Sequence, residues 1–231
     1  ERGANVEATD AVGDTVLNMA VRDGNTLLVA MALNYSANTE VLGSDGYTPL
    51  VAATKLGFFQ MVQTIIRHTP RPNLDATDEN GNTPLVICGM NGFHEMSINL
   101  VDYGANKEAL EYKGNHGETV AGVTALWRGA WSGYRDFVYG LIARGANMEV
   151  ADTYTGSTPL HIAAERGYDG MIYDLLNWGA NRDSLDADGE TPICRAIKGA
   201  HFASVKLLYQ WGTTGLNRMM MSIGTGTPAW C

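Results

Sequence analysis

Long apolar runs are missing from this 231-residue chain, as are paired cysteines and any excess of basic side chains. The longest uninterrupted apolar stretch, Leu27–Leu33, falls far short of the ~20 residues a membrane-spanning helix needs, so no membrane insertion is expected. The opening Glu1-Arg2-Gly3 starts no secretory signal. Three cysteines occur, at 88, 194 and 231, with no Cys-x-x-Cys spacing, which argues against a disulfide framework and against a zinc site. Basic residues number 16 against 25 acidic ones, a net charge of −9 that disfavours nucleic-acid binding. These absences point to an intracellular, cytoplasmic protein, with a cytoskeletal position as the alternative.

Chemistry-bearing motifs are scarce as well. His161 and Glu165 stand one helical turn apart, but the pair lacks the further ligand an open metal site requires. Gly114–Gly122 contains glycines without the Lys-Ser/Thr of a phosphate loop. No Ser/His/Asp or Cys/His grouping has suggestive spacing. Neither enzymatic activity, nor a metal, nor a cofactor is expected.

What the chain has in quantity is repetition. Thr-Pro-Leu stands at 48–50, 83–85 and 158–160, Thr-Pro-Ile at 191–193, and weaker copies begin at Thr15 and Thr124. The intervals between these threonines are 33, 35, 41, 34 and 33 residues, a fixed period with one interruption, which is the signature of a solenoid. A glycine precedes each threonine by two residues (Gly13, Gly46, Gly81, Gly122, Gly156, Gly189), suiting a tight turn. The threonine can cap a helix, and a following proline sits where its missing N–H has no intrahelical role. Nine residues on, Gly24, Gly57, Gly92, Gly133, Gly167 or Ala200 suits a left-handed end to a short first helix. A second apolar helix follows and closes at Gly104, Gly145, Gly179 or Gly212, with Ser36 in the first copy. Small residues five after the threonine (Ala20, Ala53, Cys88, Gly129, Ala163, Ala196) allow the paired helices to approach closely.

This pattern resembles the ankyrin repeat, whose Gly-x-Thr-Pro-Leu-His, paired Ala, mid-unit Gly and closing Gly-Ala are nearly complete over Gly156–Asn181. The resemblance covers about residues 3–212. It implies an all-α solenoid of stacked helix-turn-helix units with β-turn fingers, in which the first helices and fingers form a concave surface that commonly binds other proteins. It implies no activity. Only His161 matches the family's histidine; Asn18, Val51, Val86, Trp127 and Cys194 replace it, so those units are expected to lack the link that His makes.

Residues 1–231 are expected to form a single domain. Arg2-Gly3-Ala4-Asn5 repeats Arg144-Gly145-Ala146-Asn147, and Gly226-Thr227-Pro228-Ala229-Trp230 resembles the opening of a seventh unit, so partial units are read at both ends. The expectation is a piece of a larger polypeptide or assembly.

In the ankyrin pattern the residue seven after the threonine is variable, exposed and faces the groove. Here it reads Arg22, Lys55, Met90, Trp131, Glu165 and Lys198. Two large apolar residues at the centre with charged residues beside them resemble the anchor and rim of a protein interface. Trp127 and Arg128 share the short helix of Trp131, and both residue types are favoured as interface hot spots. Trp127, in the histidine slot, reads rather as packing between units. The interruption lies in the same unit: 19 positions separate Ala105 from Thr124, where other units use about 11, so 108–121 reads as a lengthened finger carrying Glu111, Tyr112, Lys113 and His116. Gly117-Glu118-Thr119 offers a rival unit start, but the mid-unit Gly133 favours Thr124. Seventeen of the 25 acidic residues fall in the fingers, which would attract a partner with a basic surface; ordinary turn chemistry accounts for the same residues.

The resulting expectation is a scaffold that binds another protein through its groove and fingers. Alternatives are a regulatory segment of a larger channel or enzyme, or a structural subunit of a large, cytoskeletal assembly.

Overall fold

Threonine hydroxyls decide where the units begin. Thr15, Thr48, Thr83, Thr124 and Thr158 are extended, and each Oγ1 accepts the backbone N–H three residues on, at 3.3–3.5 Å. Such a cap stabilises a helix start by about 1 kcal/mol. Thr191 departs from the pattern: its hydroxyl donates to Cys194 Sγ at 3.3 Å and makes no cap bond.

The computed structural model describes residues 5–110 and 122–212, and over these it contains twelve helices. They alternate as α1 (Val16–Arg22) and α2 (Thr26–Asn34), α3 (Pro49–Lys55) and α4 (Phe59–Ile66), α5 (Pro84–Asn91) and α6 (His94–Asp102). The second half continues with α7 (Ala125–Ser132) and α8 (Arg135–Ile142), α9 (Pro159–Glu165) and α10 (Asp169–Asn177), α11 (Pro192–Lys198) and α12 (Phe202–Gln210). First helices pack on first helices and second on second, so the described residues form a one-dimensional stack of six helix pairs. Thr124 caps α7, which places the fourth unit in the register that Gly133 indicated. The sequence features in 1–4, including Arg2-Gly3-Ala4, the finger residues Glu111, Tyr112, Lys113 and His116, and Gly226–Trp230 lie outside the described residues.

Close packing within a pair depends on the small residue at its midpoint. Ala20, Ala53, Cys88, Ala163 and Ala196 are fully buried, and at Gly129 a Cβ would lie 2.4 Å from the Phe137 ring. Leu50, Ile65, Leu100, Leu126, Leu141 and Leu175 fill the interior. Each contributes about 1.5–3 kcal/mol by leaving water.

Between units, three interactions recur at repeat spacing. From the second unit on, the ring that follows the mid-unit residue lies on the mid-unit glycine of the preceding unit: Phe58 on Gly24, Phe93 on Gly57, Tyr134 on Gly92, Tyr168 on Gly133 and His201 on Gly167. Carboxylates in the connecting loops accept the N–H of the next unit's loop: Glu7 from Asn38, Glu40 from Asn73, Asp75 from Asn106, Glu108 from Asn147 and Glu149 from Asn181, all at 2.8–2.9 Å. Fingers are closed from within by Asp45, Asp78, Asp152 and Asp186, whose Oδ1 atoms accept turn N–H groups at 2.7–3.0 Å. Much of the acidity counted in the fingers is therefore structural.

The histidine slot shows how sequence departures are accommodated. His161 Nδ1 accepts from Thr158 N–H at 3.2 Å, and Nε2 bonds the Glu190 carbonyl of the next finger at 3.0 Å. Trp127 makes the corresponding link, its indole N–H donating to Ser157 O at 2.7 Å. That corrects, for this one unit, the expectation that a unit without His lacks the bond. Asn18 is too short for it and reaches Val41 O instead, at 3.4 Å, leaving its Oδ1 buried without a donor.

Candidate functional site

The groove lies between the fingers and the first helices. Its first cleft, about 210 Å³, is bounded by Asn18, Val21 and Arg22 of α1, Ser44, Asp45 and Tyr47 of a finger, and Ala52 and Lys55 of α3. A second, more open cleft of about 500 Å³ lies beyond Lys55, against Asp78 and Glu79 on one side and Ile87, Met90 and Asn91 of α5 on the other. Lys55 is the wall the two share.

The cations of the column seven after the cap threonine are tied to finger acids. Arg22 Nη1 bonds the buried Asp14 carboxylate, which also accepts Ser44 N–H at 2.6 Å. That backbone bond, assisted by the Ser44 hydroxyl and by Arg22, holds the Asp14 carboxyl below the usual carboxylate range against the effect of its burial. Lys55 Nζ donates to Tyr47 Oη at 2.9 Å and lies 3.3 Å from Glu79 and 3.5 Å from Asp78; Tyr47 in turn donates to Glu79. Burial alone would lower the Lys55 pKa, but Tyr47 and the two acids raise it overall. Lys198 pairs with Glu190, and Arg195 joins Asp186 at 2.6 Å and Glu190 at 3.3 Å. Glu165 is exposed, with Arg195 at 3.9 Å. The acids Asp14, Asp78, Asp186 and Glu190 are buried while Arg22, Lys55 and Lys198 reach solvent, so screening keeps the contribution of each pair modest. Their larger effect is to fix the groove's charges in place.

The centre of the column is apolar. Met90 and Trp131 are both half-buried. Trp131 stacks on Trp127 with ring centroids 5.4 Å apart and planes 12° from parallel, and the Arg166 guanidinium covers its other face at 3.8 Å. Trp131 is thus held flat between an indole and a cation, which orders the side chain before any partner arrives. Trp127 itself is buried with Val123 and Ile162. Arg128 is 5% exposed, near the Trp127 ring at 5.8 Å, so the exposed set does not include it. A residue reading one helical face missed Arg166, which stands eight after Thr158 yet reaches back to the preceding unit. Tyr47 was missed likewise, because it belongs to a finger and acts through Lys55.

Two side chains of catalytic type, His161 and Cys88, are committed to the fold. His161 is buried with both ring nitrogens bonded, and its burial lowers its pKa. The Cys88 thiol lies in the core, where burial pushes its pKa up, away from the reactive thiolate. Among the described residues no group of three His, Cys, Asp or Glu is placed to hold a metal, and no helix is long and apolar enough to cross a membrane.

The sequence profile described as "Ankyrin repeats (3 copies)" matches residues 2–78 and 126–218. The chain belongs to the ankyrin repeat family. Among solved structures, the ankyrin repeat domain of Bcl-3, described as a unique member of the IkappaB protein family, superposes with a TM-score of 0.77 at 25% identity, covering 88% of each chain. An ankyrin repeat domain from Acinetobacter baumannii AYE gives 0.68 at 27% identity, covering 78% of this chain and 89% of that one. Curated relatives include the E3 ubiquitin-protein ligase KEG of Arabidopsis thaliana, 30% identical over 50% of this chain, and the ankyrin repeat and KH domain-containing protein mask-1 of Caenorhabditis elegans, 28% identical over 60%. The matched segments span 7% and 5% of those two proteins. Ankyrin repeats are protein–protein interaction modules, and the stack described above is of that kind.

Proposed function

We propose that residues 1–231 form a single non-enzymatic domain that holds a partner protein in the groove, with Met90 and Trp131 as its centre. The observation that carries this reading is Trp131, half-exposed and held flat between Trp127 and Arg166, in a column that also sets Met90 on an open cleft and whose cations are already paired. An ordered indole loses little conformational freedom on binding, which suits it as an anchor. Because Arg22, Lys55 and Lys198 are paired internally, the fingers present less free negative charge than composition suggests. A basic partner surface would engage the remaining exposed acids, and nucleic acid is not a partner in this reading. The protein works inside the cell, in the cytoplasm or attached to the cytoskeleton.

A second reading, a regulatory segment of a larger polypeptide, is favoured by the small share of its curated relatives that this chain spans. Under it the partner is another domain of the same protein.

Cross-linking and co-purification from the native source test the groove, comparing the intact protein with a Met90→Ala, Trp131→Ala variant. Partners lost together in a folded variant support the proposal. Retention of the same partners removes the groove as the binding site.

A further inference from the structure

Consecutive second helices meet through recurring positions. Side chains 11, 15 and 19 residues after the cap threonine of one unit reach those 12, 16 and 20 after the threonine of the next. Gln63 donates to Asn99 at 3.2 Å, Arg67 to the Tyr103 hydroxyl at 3.3 Å and Arg135 to Asp174 at 2.6 Å, while the Tyr139 and Trp178 rings meet edge to face at 5.9 Å. In the first unit the receiving positions are Leu27, Met31 and Tyr35, on successive turns along α2, and they are 73%, 48% and 75% exposed. In the sixth unit the reaching positions are Phe202, Lys206 and Gln210 of α12, all exposed, Phe202 at 82%. The two ends of the described stack thus carry the two halves of one joint. Residues 5–14 lie at the first end as the loop and finger that elsewhere belong to a preceding unit, with Glu7 accepting the Asn38 N–H as at the internal joints.

We propose that the sixth unit of one copy of this chain docks on the first unit of a second copy, repeating the internal joint head to tail. Carrying the internal pairing over to this joint gives a compatible contact at each point. Phe202 falls on Leu27 and Met31, as Arg135 falls on Gly170 and Asp174, so apolar surface covers apolar surface. Lys206 falls on the Tyr35 ring, as Tyr139 falls on Trp178, and sets a cation against an aromatic face. Gln210 falls beside the Tyr35 hydroxyl, as Arg67 does beside that of Tyr103, and a hydrogen bond joins them. The first helices agree. Arg166, eight after its cap threonine, covers Trp131, seven after the preceding one, and Lys55, seven after its own, meets Asp78 of the next finger at 3.5 Å. At the new joint both routes bring an acid, Asp23 or Asp10, to Lys198 of the other copy. Shape agrees as well. At the internal joints a ring lies on a left-handed glycine, whereas here Ala200 carries a Cβ and the facing residue is Asn25, which has no ring and caps α2 at 3.0 Å. Because the two faces differ, each added copy leaves one of each kind free and growth stays open.

Sedimentation equilibrium of the full chain over about two decades of concentration tests the assignment, with an average mass that passes the dimer and keeps rising as the expected result. Leu27→Asp, Met31→Asp blocks the receiving face and Phe202→Asp the reaching face; both lie at exposed positions, and circular dichroism checks that each variant is folded. Each should associate about tenfold more weakly or worse alone. Mixed, they should form a one-to-one dimer that grows no further, since each retains the face the other lacks. Trp131→Ala should associate as the wild type does, which separates this joint from the groove. A constant monomer mass overturns the proposal. So does growth that stops at a dimer, since the contact would then join two identical faces, and so does a mixture of the two folded variants that remains monomeric.

Discussion

Ala200 holds a left-handed backbone, φ 58°, at the position where the other five first helices give way to glycine. A Cβ in that conformation is strained by roughly 1–2 kcal/mol, partly offset by the smaller entropy of the unfolded alanine chain. Ala200→Gly should therefore stabilise the protein by about 0.5–1 kcal/mol, read as a higher urea midpoint. A lower midpoint would show that Ala200 packs usefully in some other way. His161 gives a pH dependence of definite sign. Its burial lowers its pKa from the ordinary 6.5, so the unfolded chain takes up the proton first as pH falls. The stability it contributes is present above pH 6.5 and is lost as pH falls below that value. Thermal midpoints measured from pH 7.5 to 5 should decline in the wild type and decline less in His161→Gln; parallel profiles would show that another group is responsible. Sequence identified His161 as the family histidine because the residue type is matched there. It placed Trp127 in the same slot but did not show that the bond is kept there, since only coordinates show its indole N–H reaching Ser157 O.

Helix limits were largely readable, because cap threonines, N1 prolines and left-handed glycines act within a few residues of where they stand. The column of rings on mid-unit glycines was not readable in this way. Phe58, Phe93, Tyr134, Tyr168 and His201 look like ordinary residues at the start of second helices, and their target lies one unit back. At Gly92 the two requirements coincide: φ is 72°, and a Cβ would stand 2.7 Å from the Tyr134 ring. At Gly145 φ is 75° with open space around the Cβ position. Gly145→Ala should thus lose only the backbone term, about 1 kcal/mol, and Gly92→Ala about 2–4 kcal/mol because the ring must also move. Chemical denaturation of both variants measures the difference. Equal losses would mean that the ring yields freely and does not tie unit to unit. The acidic loop residues teach the same lesson: Glu40 and Glu149 read as surface charge in one dimension, yet each accepts a backbone N–H from the following unit.

At the scale of the whole molecule, period alone revealed a stack with a groove, because any unit of this length must bury its apolar face against a neighbour. The composition of the groove was legible in part. Met90 and Trp131 do stand half-exposed in its central units, while Arg128, three residues before Trp131, is buried, and Arg166 completes the Trp131 sandwich from the next unit. Residue type and helical phase locate a position on a face; they do not show which long side chain folds back across a joint. In the proposed function the groove binds through Trp131. The affinity of a co-purified partner for Trp131→Ala, set beside Tyr35→Ala on an exposed site at the end of α2, tests it most directly. A loss of about 2 kcal/mol or more is expected for Trp131→Ala, with unchanged affinity for Tyr35→Ala and both variants folded. Full affinity in Trp131→Ala would contradict it.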